Sequence, residues 1–215
     1  MRKLTLLAAV GCLILLFATA GQAALFTNGS FENGSYDAGL NNYNTLFSGS
    51  TAVDGWVVGG GGIDWINAYW TPADGTKSID LAGNNPGSIS QTFDTTVGTL
   101  YTVEFAMSGN PDGLPILKAL IADAFSPTLA GATIEYFNTT GVTRIGGMDW
   151  STRSFQFLAN SPSTTLTFAS FSSTTPYGAA LDNVKVTAVP EAGAMILFAS
   201  GLVGLIGYRR TRRMQ

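Results

Sequence analysis

The sequence contains no histidine and a single cysteine, Cys12. Without histidine there is no Ser-His-Asp or Cys-His catalysis, and the usual imidazole-ligated zinc and haem sites are excluded. A lone cysteine forms no internal disulfide. Cys12 lies inside an N-terminal apolar run expected to be removed, and Ala9-Val10-Gly11 before it lacks the leucine of a lipobox. Only oxygen-ligand metals pass this filter, calcium first. Acid–base chemistry falls to carboxylates, lysine or tyrosine. Basic residues are scarce as well. Between Glu32 and Lys185 thirteen acids face five bases, Lys77, Lys118, Arg144, Arg153 and Lys185, so this stretch is acidic by eight charges although the whole chain carries −3. Such a surface repels nucleic acid and anionic lipid and leaves neutral polymers, cations and other proteins as partners.

Both ends carry apolar runs. Arg2 and Lys3 precede Leu4 to Ala18, followed by small residues, Ala18-Thr19-Ala20 and Gly21-Gln22-Ala23, that suit signal peptidase. At the other end no residue from Ala192 to Tyr208 is charged. At 1.5 Å per residue that run reaches roughly 25 Å against a hydrocarbon core of about 30 Å. Arg209, Arg210, Arg212 and Arg213 follow at once, as a cytoplasmic stop would. Taken alone, the tail serves equally as a single-pass anchor or as a tag to be cut off. The expected organisation is a signal peptide over 1–23, one exported domain over 24–188 and a tail over 189–215. Export of the middle across a membrane, with both basic ends left on the cytoplasmic side, follows from it.

The middle has the texture of a β protein. Tyr101, Val103, Phe105 and Met107 alternate with Thr102, Glu104, Ala106 and Ser108, the period of a half-buried strand. Ile79 with Leu81, Phe155 with Phe157, Leu166 with Phe168 and Val184 with Val186 repeat it. Between them lie turn residues such as Gly83-Asn84-Asn85-Pro86-Gly87 and Gly109-Asn110-Pro111-Asp112-Gly113. Strands and turns at this spacing predict an antiparallel sandwich. Ile116 to Ala124 also fits a helical period; a strand is preferred there. Gly59 to Gly62 predicts a mobile or tightly bent loop.

Val189-Pro190-Glu191, the short span and the terminal arginines resemble the PEP-CTERM sorting signal read by a membrane-embedded exosortase, although Ala192 stands where a second proline is usual. Asn28-Gly29-Ser30-Phe31-Glu32, Gly55-Trp56, Ile63-Asp64-Trp65-Ile66, Asp74-Gly75-Thr76-Lys77, Gly109-Asn110-Pro111 and Leu181-Asp182-Asn183-Val184 resemble the choice-of-anchor C domain. That resemblance implies an all-β, galactose-binding-like jelly roll, here flanked by a signal-peptide helix and a C-terminal transmembrane helix. It also implies a non-catalytic surface module for extracellular polysaccharide. The resemblance of the tail implies an exosortase partner, membrane contact through the tail before processing, and export across the inner membrane of a Gram-negative bacterium to the envelope, cell surface or extracellular matrix. The N-terminal residues imply signal peptidase as a partner during export. In carbohydrate-binding jelly rolls of similar sequence the first and last strands share a structural calcium; the counterparts are Glu32 and Asp182, for an ion that wants about six to eight oxygens.

Sugars lay their apolar C–H faces on aromatic rings while carboxylates and amides take the hydroxyls. Asp64, Trp65, Asn67, Tyr69 and Trp70 combine these groups in one short stretch and form the candidate glycan site. Strict alternation sends Trp65 and Tyr69 to one face and Trp70 to the other, so at least one ring serves the core. A purely structural surface or matrix protein is the alternative function. Glycoside hydrolysis would need two carboxylates about 5 to 10 Å apart. The available acids, Asp64, Asp74, Asp112, Glu104 and Glu135, sit mostly in Asp-Gly turns or on the outward side of a strand, so no enzyme is expected.

Overall fold

The computed structural model describes residues 25–37, 42–126, 128–171 and 176–190. They form strands β1 (Tyr43–Leu46), β2 (Val57–Gly60), β3 (Ile63–Asn67), β4 (Lys77–Asp80), β5 (Gly87–Asp94), β6 (Leu100–Gly109), β7 (Leu117–Ser126), β8 (Thr128–Asn138), β9 (Ser151–Leu158), β10 (Ser163–Ser170) and β11 (Ala179–Ala188). A six-stranded sheet in the order β1-β3-β4-β11-β6-β9 faces a five-stranded sheet in the order β2-β5-β10-β7-β8. All the pairings are antiparallel. The result is a jelly-roll sandwich, and the alternation and turn spacing predict its antiparallel two-sheet architecture.

Alternate residues of each strand point between the sheets. Ile63, Trp65, Ile79, Leu81, Val103, Phe105 and Met107 from one sheet meet Val58, Ile89, Leu120, Leu166 and Phe168 from the other. Burying a large apolar side chain contributes about 1.5–3 kcal/mol relative to leaving it in water, so this layer is the main source of stability. Ile116 to Ala124 resolves as a strand because Leu120, Ala122 and Ala124, two apart, are all fully buried. The predicted bend at Gly59 to Gly62 is tight: a Cβ on Gly87 would lie 1.8 Å from the Gly62 carbonyl oxygen, so only glycine permits this crossing.

The alternation of β6 implies a wet outer face, yet Ala106 and Ser108 are buried too. A second, smaller core of Ile66, Trp70, Met148 and Ala180, flanked by Tyr43, Tyr69, Val142 and Trp150, covers this side of the six-stranded sheet. Loops after β3 and β8 carry it. The Ser108 hydroxyl donates to the Met148 carbonyl and ties the cover down.

The expected flanking helices require correction. The described residues contain no helix, because their apolar runs are short and alternate with polar residues, a pattern that pays off only in strands. No helix among them is long and apolar enough to cross a membrane. The proposed signal peptide over 1–23, Glu191 and the arginines Arg209, Arg210, Arg212 and Arg213 lie outside the described residues. Val189 continues the sheet, its N–H donating to the Leu100 carbonyl at 2.8 Å. The transmembrane-anchor and inner-membrane-export expectation therefore has no element of this fold behind it.

Candidate functional site

Where Trp65 points inward, Asp64 and Ile66 point outward, onto the face that the second layer partly covers. Asp64 stands opposite Asp80 of β4 and beside Thr45 of β1. After β3 the chain turns through Ala68, whose φ is +62°, and this left-handed residue breaks the alternation. Tyr69 and Trp70 consequently both return over the outer face. Trp70 is sealed beneath the cover, 2% exposed, with its indole N–H donating to the Ser78 hydroxyl at 2.8 Å. Tyr69 stays half-buried at the rim of a cleft of about 300 Å³. Tyr43, Thr45, Asp64, Asn84, Asn110 and Tyr177 complete the polar and aromatic walls of that cleft.

Its groups are held by a chain of hydrogen bonds. The Thr45 hydroxyl donates to Asp64 Oδ1 at 2.6 Å. Burial pushes the Asp64 carboxyl up, and the threonine bond opposes that. Asp80, fully buried behind it, accepts from the backbone amides of Ala82 and Gly178 at 3.0 Å and from Asn110 Nδ2 at 2.8 Å. Burial, helped by the neighbouring Asp64 charge, nevertheless pushes Asp80 up to about 8. At the rim the Tyr69 hydroxyl donates to Asp112 Oδ2 at 2.8 Å, and Arg144 grips the same carboxylate at 3.0 and 2.7 Å. The guanidinium carbon also sits 4.4 Å from the Tyr69 ring centroid, a cation–π contact that clamps the ring. Burial and the bond to Asp112 push the Tyr69 phenol up to about 12. Lys118 is 0% exposed; its ammonium has no hydrogen-bond partner among the described residues and lies 5.8 Å from the Tyr177 ring centroid. Burial depresses its pKa, and the charges of Asp80 and Asp112 oppose that shift.

The five residues singled out in the sequence separate. Asp64 and Tyr69 line the cleft. Trp65 is 0% exposed in the main core, its indole N–H donating to the Phe31 carbonyl at 2.9 Å, so it offers no ring face to a ligand. Trp70 is sealed as described, and Asn67 opens onto a separate shallow depression with Pro72, Thr76 and Ile145. Asn84, Asn110 and Tyr177 were not singled out. The first two lie in stretches recognisable as turns, but no local pattern brings three distant loops to one cleft.

Glu32 and Asp182 act on one loop, Ala73–Lys77, from two sides. Glu32 accepts from the amides of Thr76 and Lys77 at 2.8 and 2.7 Å and from the Thr76 hydroxyl at 2.7 Å. Burial alone would raise its pKa, but these bonds together with the Lys77 charge hold it below the usual value. Asp182 accepts from the amides of Ala73 and Asp74 at 2.8 and 2.9 Å and from Asn183 at 2.6 Å. Burial pushes it up to about 7 against those three amides. All these contacts come from N–H and O–H donors. A calcium cage needs oxygen acceptors turned toward a common point, so this donor set does not fit the ion.

Among the described residues the cleft lacks the paired carboxylates of a glycoside hydrolase. A hydrolase needs two carboxylates flanking the bond it cleaves, both reachable by substrate. Asp64 is the one carboxylate lining this cleft among the described residues, and its neighbour Asp80 is sealed behind it. Of the other acids, Asp112 is tied to Arg144, Glu135 pairs with Arg153 at 3.2 Å and Glu104 faces outward.

Residues 24–187 match the family described as "Protein of unknown function (DUF642)". This corrects the choice-of-anchor C and PEP-CTERM assignment, and it gives no support to exosortase, signal peptidase or membrane as partners. Halomucin from Haloquadratum walsbyi is 37% identical over 171 residues, which cover 78% of this chain; the chain spans only 2% of that protein's length. Solved structures similar to it include TmCBM61 in complex with β-1,4-galactotriose, at 12% identity and a TM-score of 0.45 over 77% of this chain and 99% of that one. A Family 16 Carbohydrate Binding Module-2 aligns at 11% identity and 0.42 over 75% and 97%. The arabinose-bound α-L-arabinofuranosidase MgGH51 aligns at 9% and 0.48 over 77% and 26%.

Proposed function

We propose that this chain, which belongs to the DUF642 family, is a non-catalytic glycan-binding domain that works at the cell surface or in the extracellular matrix. One observation carries the reading: a single cleft holds a carboxylate, two side-chain amides and three tyrosine rings. Hydroxyl-rich ligands call for that combination, because carboxylates and amides satisfy hydroxyls while rings cover the apolar faces of the sugar. The Arg144–Asp112 clamp fixes Tyr69 before any ligand arrives, which lowers the ordering cost of binding. The acidic surface supports a neutral polymer rather than nucleic acid as partner.

Affinity electrophoresis through gels cast with neutral polysaccharides tests this. Retardation of the wild-type chain is expected, reduced by about tenfold or more in affinity for Asp64→Ala and Tyr69→Ala. Tyr69→Phe keeps the ring and loses only the Asp112 bond, so a milder loss separates stacking from clamping. Equal migration of all variants in every gel argues against the reading. A purely structural matrix role is the second reading, supported by the presence of one similar segment within the far longer Halomucin. It predicts no retardation of the wild-type chain in any gel.

A further inference from the structure

The charge inventory around the cleft is lopsided, and it bears on which sugars can enter. Asp64 presents a carboxylate to the cleft; Oδ1 takes the Thr45 hydroxyl, and Oδ2 has no hydrogen-bond partner among the described residues. Asp80 lies immediately behind, in cross-strand register with it. Among the described residues two cations are near, and neither lines the cleft. Lys118 is buried, its ammonium 5.8 Å from the Tyr177 ring centroid, and Arg144 lies against the Tyr69 ring with its Nε and Nη2 bonded to Asp112. An incoming carboxylate or sulfate would have to shed water beside Asp64, and none of the residues lining the cleft is a cation that could receive it.

The size of the cleft adds a second constraint. At about 300 Å³ it stands at the lower end of ligand pockets, with room for one small polar ring rather than a length of polymer. Its walls come from several segments: Tyr43 and Asp64 from strands, Tyr69 pinned by its clamp, and Asn84, Asn110 and Tyr177 from loops.

We propose that the cleft is an end-capture site that takes the terminal sugar of an uncharged glycan and rejects glycans ending in a uronate or a sulfated sugar. This rests on the glycan-binding reading and sharpens it. Asp64 is the selecting residue: its free oxygen accepts from sugar hydroxyls, and its charge repels acidic sugars. Asn84 supplies a neutral contact that does not discriminate by charge, while Asn110, its amide bonded to Asp80 and to the Asp112 N–H, holds the wall in place.

Titration calorimetry on the full chain tests it with the methyl glycosides of galactose, glucose, mannose and xylose, and with methyl galacturonide and glucuronide. Neutral oligosaccharides of increasing length, built from whichever sugar binds, extend the series. The galactose or the glucose glycoside is expected to bind, with its C6-uronate counterpart weaker by about tenfold or more. Affinity is expected to stay within about threefold along the oligosaccharide series. Asp64→Asn, nearly isosteric, should narrow the gap between neutral and acidic sugars. Equal or tighter uronate binding, or affinity that climbs with each added unit, overturns the proposal while leaving glycan binding intact. Absence of binding to every neutral and acidic sugar removes the glycan-binding reading and this proposal together.

Discussion

At the residue scale, the buried carboxylates set a measurable pH response. Asp80 holds its proton up to about 8 and Asp182 up to about 7 in the folded chain, whereas an ordinary aspartate ionises near 3.8. Between those values the native state binds more protons at these sites than the unfolded chain does. Stability from both groups is therefore fully present below about pH 4 and is lost as pH rises toward 8, at up to about 1.4 kcal/mol per pH unit per group. Asp64, also pushed up by burial, acts in the same direction, while Glu32, held down, and Lys118, also depressed, act in the opposite one. Thermal melts from pH 5 to pH 8 are expected to show a falling Tm, with a shallower slope for Asp80→Asn; a Tm that rises across the window would contradict the assignment. Trp65 gives a second test at this scale. Buried and bonded to Phe31, it serves packing, so Trp65→Ala is expected to destabilise by about 3–5 kcal/mol in chemical denaturation. A stable Trp65→Ala protein that has lost glycan retention would instead return Trp65 to the ligand site.

Among the elements, the Ala73–Lys77 loop shows how carboxylates can mimic a metal site. Its amides converge on Glu32 and Asp182 and are satisfied there without an ion. We expect a chelator to leave the melting temperature unchanged, since a bound structural ion would shift it by mass action. Asp182→Ala strands two loop amides and should cost about 1–3 kcal/mol; a Tm that drops on chelation and recovers with calcium would overturn this. The strands themselves were legible because alternation reports directly on burial, as in Val103, Phe105 and Met107. The site was legible only in part. Asp64 and Tyr69 stood out by chemistry, but the fates of Trp65 and Trp70 turned on the left-handed Ala68 and on a second apolar layer over the outer face. Neither leaves a periodic mark. Asn84, Asn110 and Tyr177 reach the cleft through long-range loop placement, which depends on the whole sandwich rather than on neighbouring residues.

For the molecule as a whole, the two sheets form a rigid frame whose side opposite the main core carries the ligand chemistry. The six-stranded sheet supplies Thr45 and Asp64, while its loop cover supplies the rim. The five-stranded sheet offers a competing surface, since Ile134, Tyr136 and Phe125 are exposed on it. A glycan laid along that sheet would be a different mode of binding from capture in the cleft. Chemical-shift mapping of the isotope-labelled chain, titrated with the best neutral oligosaccharide, separates the two most directly. The account predicts the largest shifts at Asp64, Tyr69, Asn84, Asn110 and Tyr177, with the five-stranded sheet unmoved. Shifts concentrated at Ile134, Tyr136 and Phe125, with the cleft silent, would contradict it.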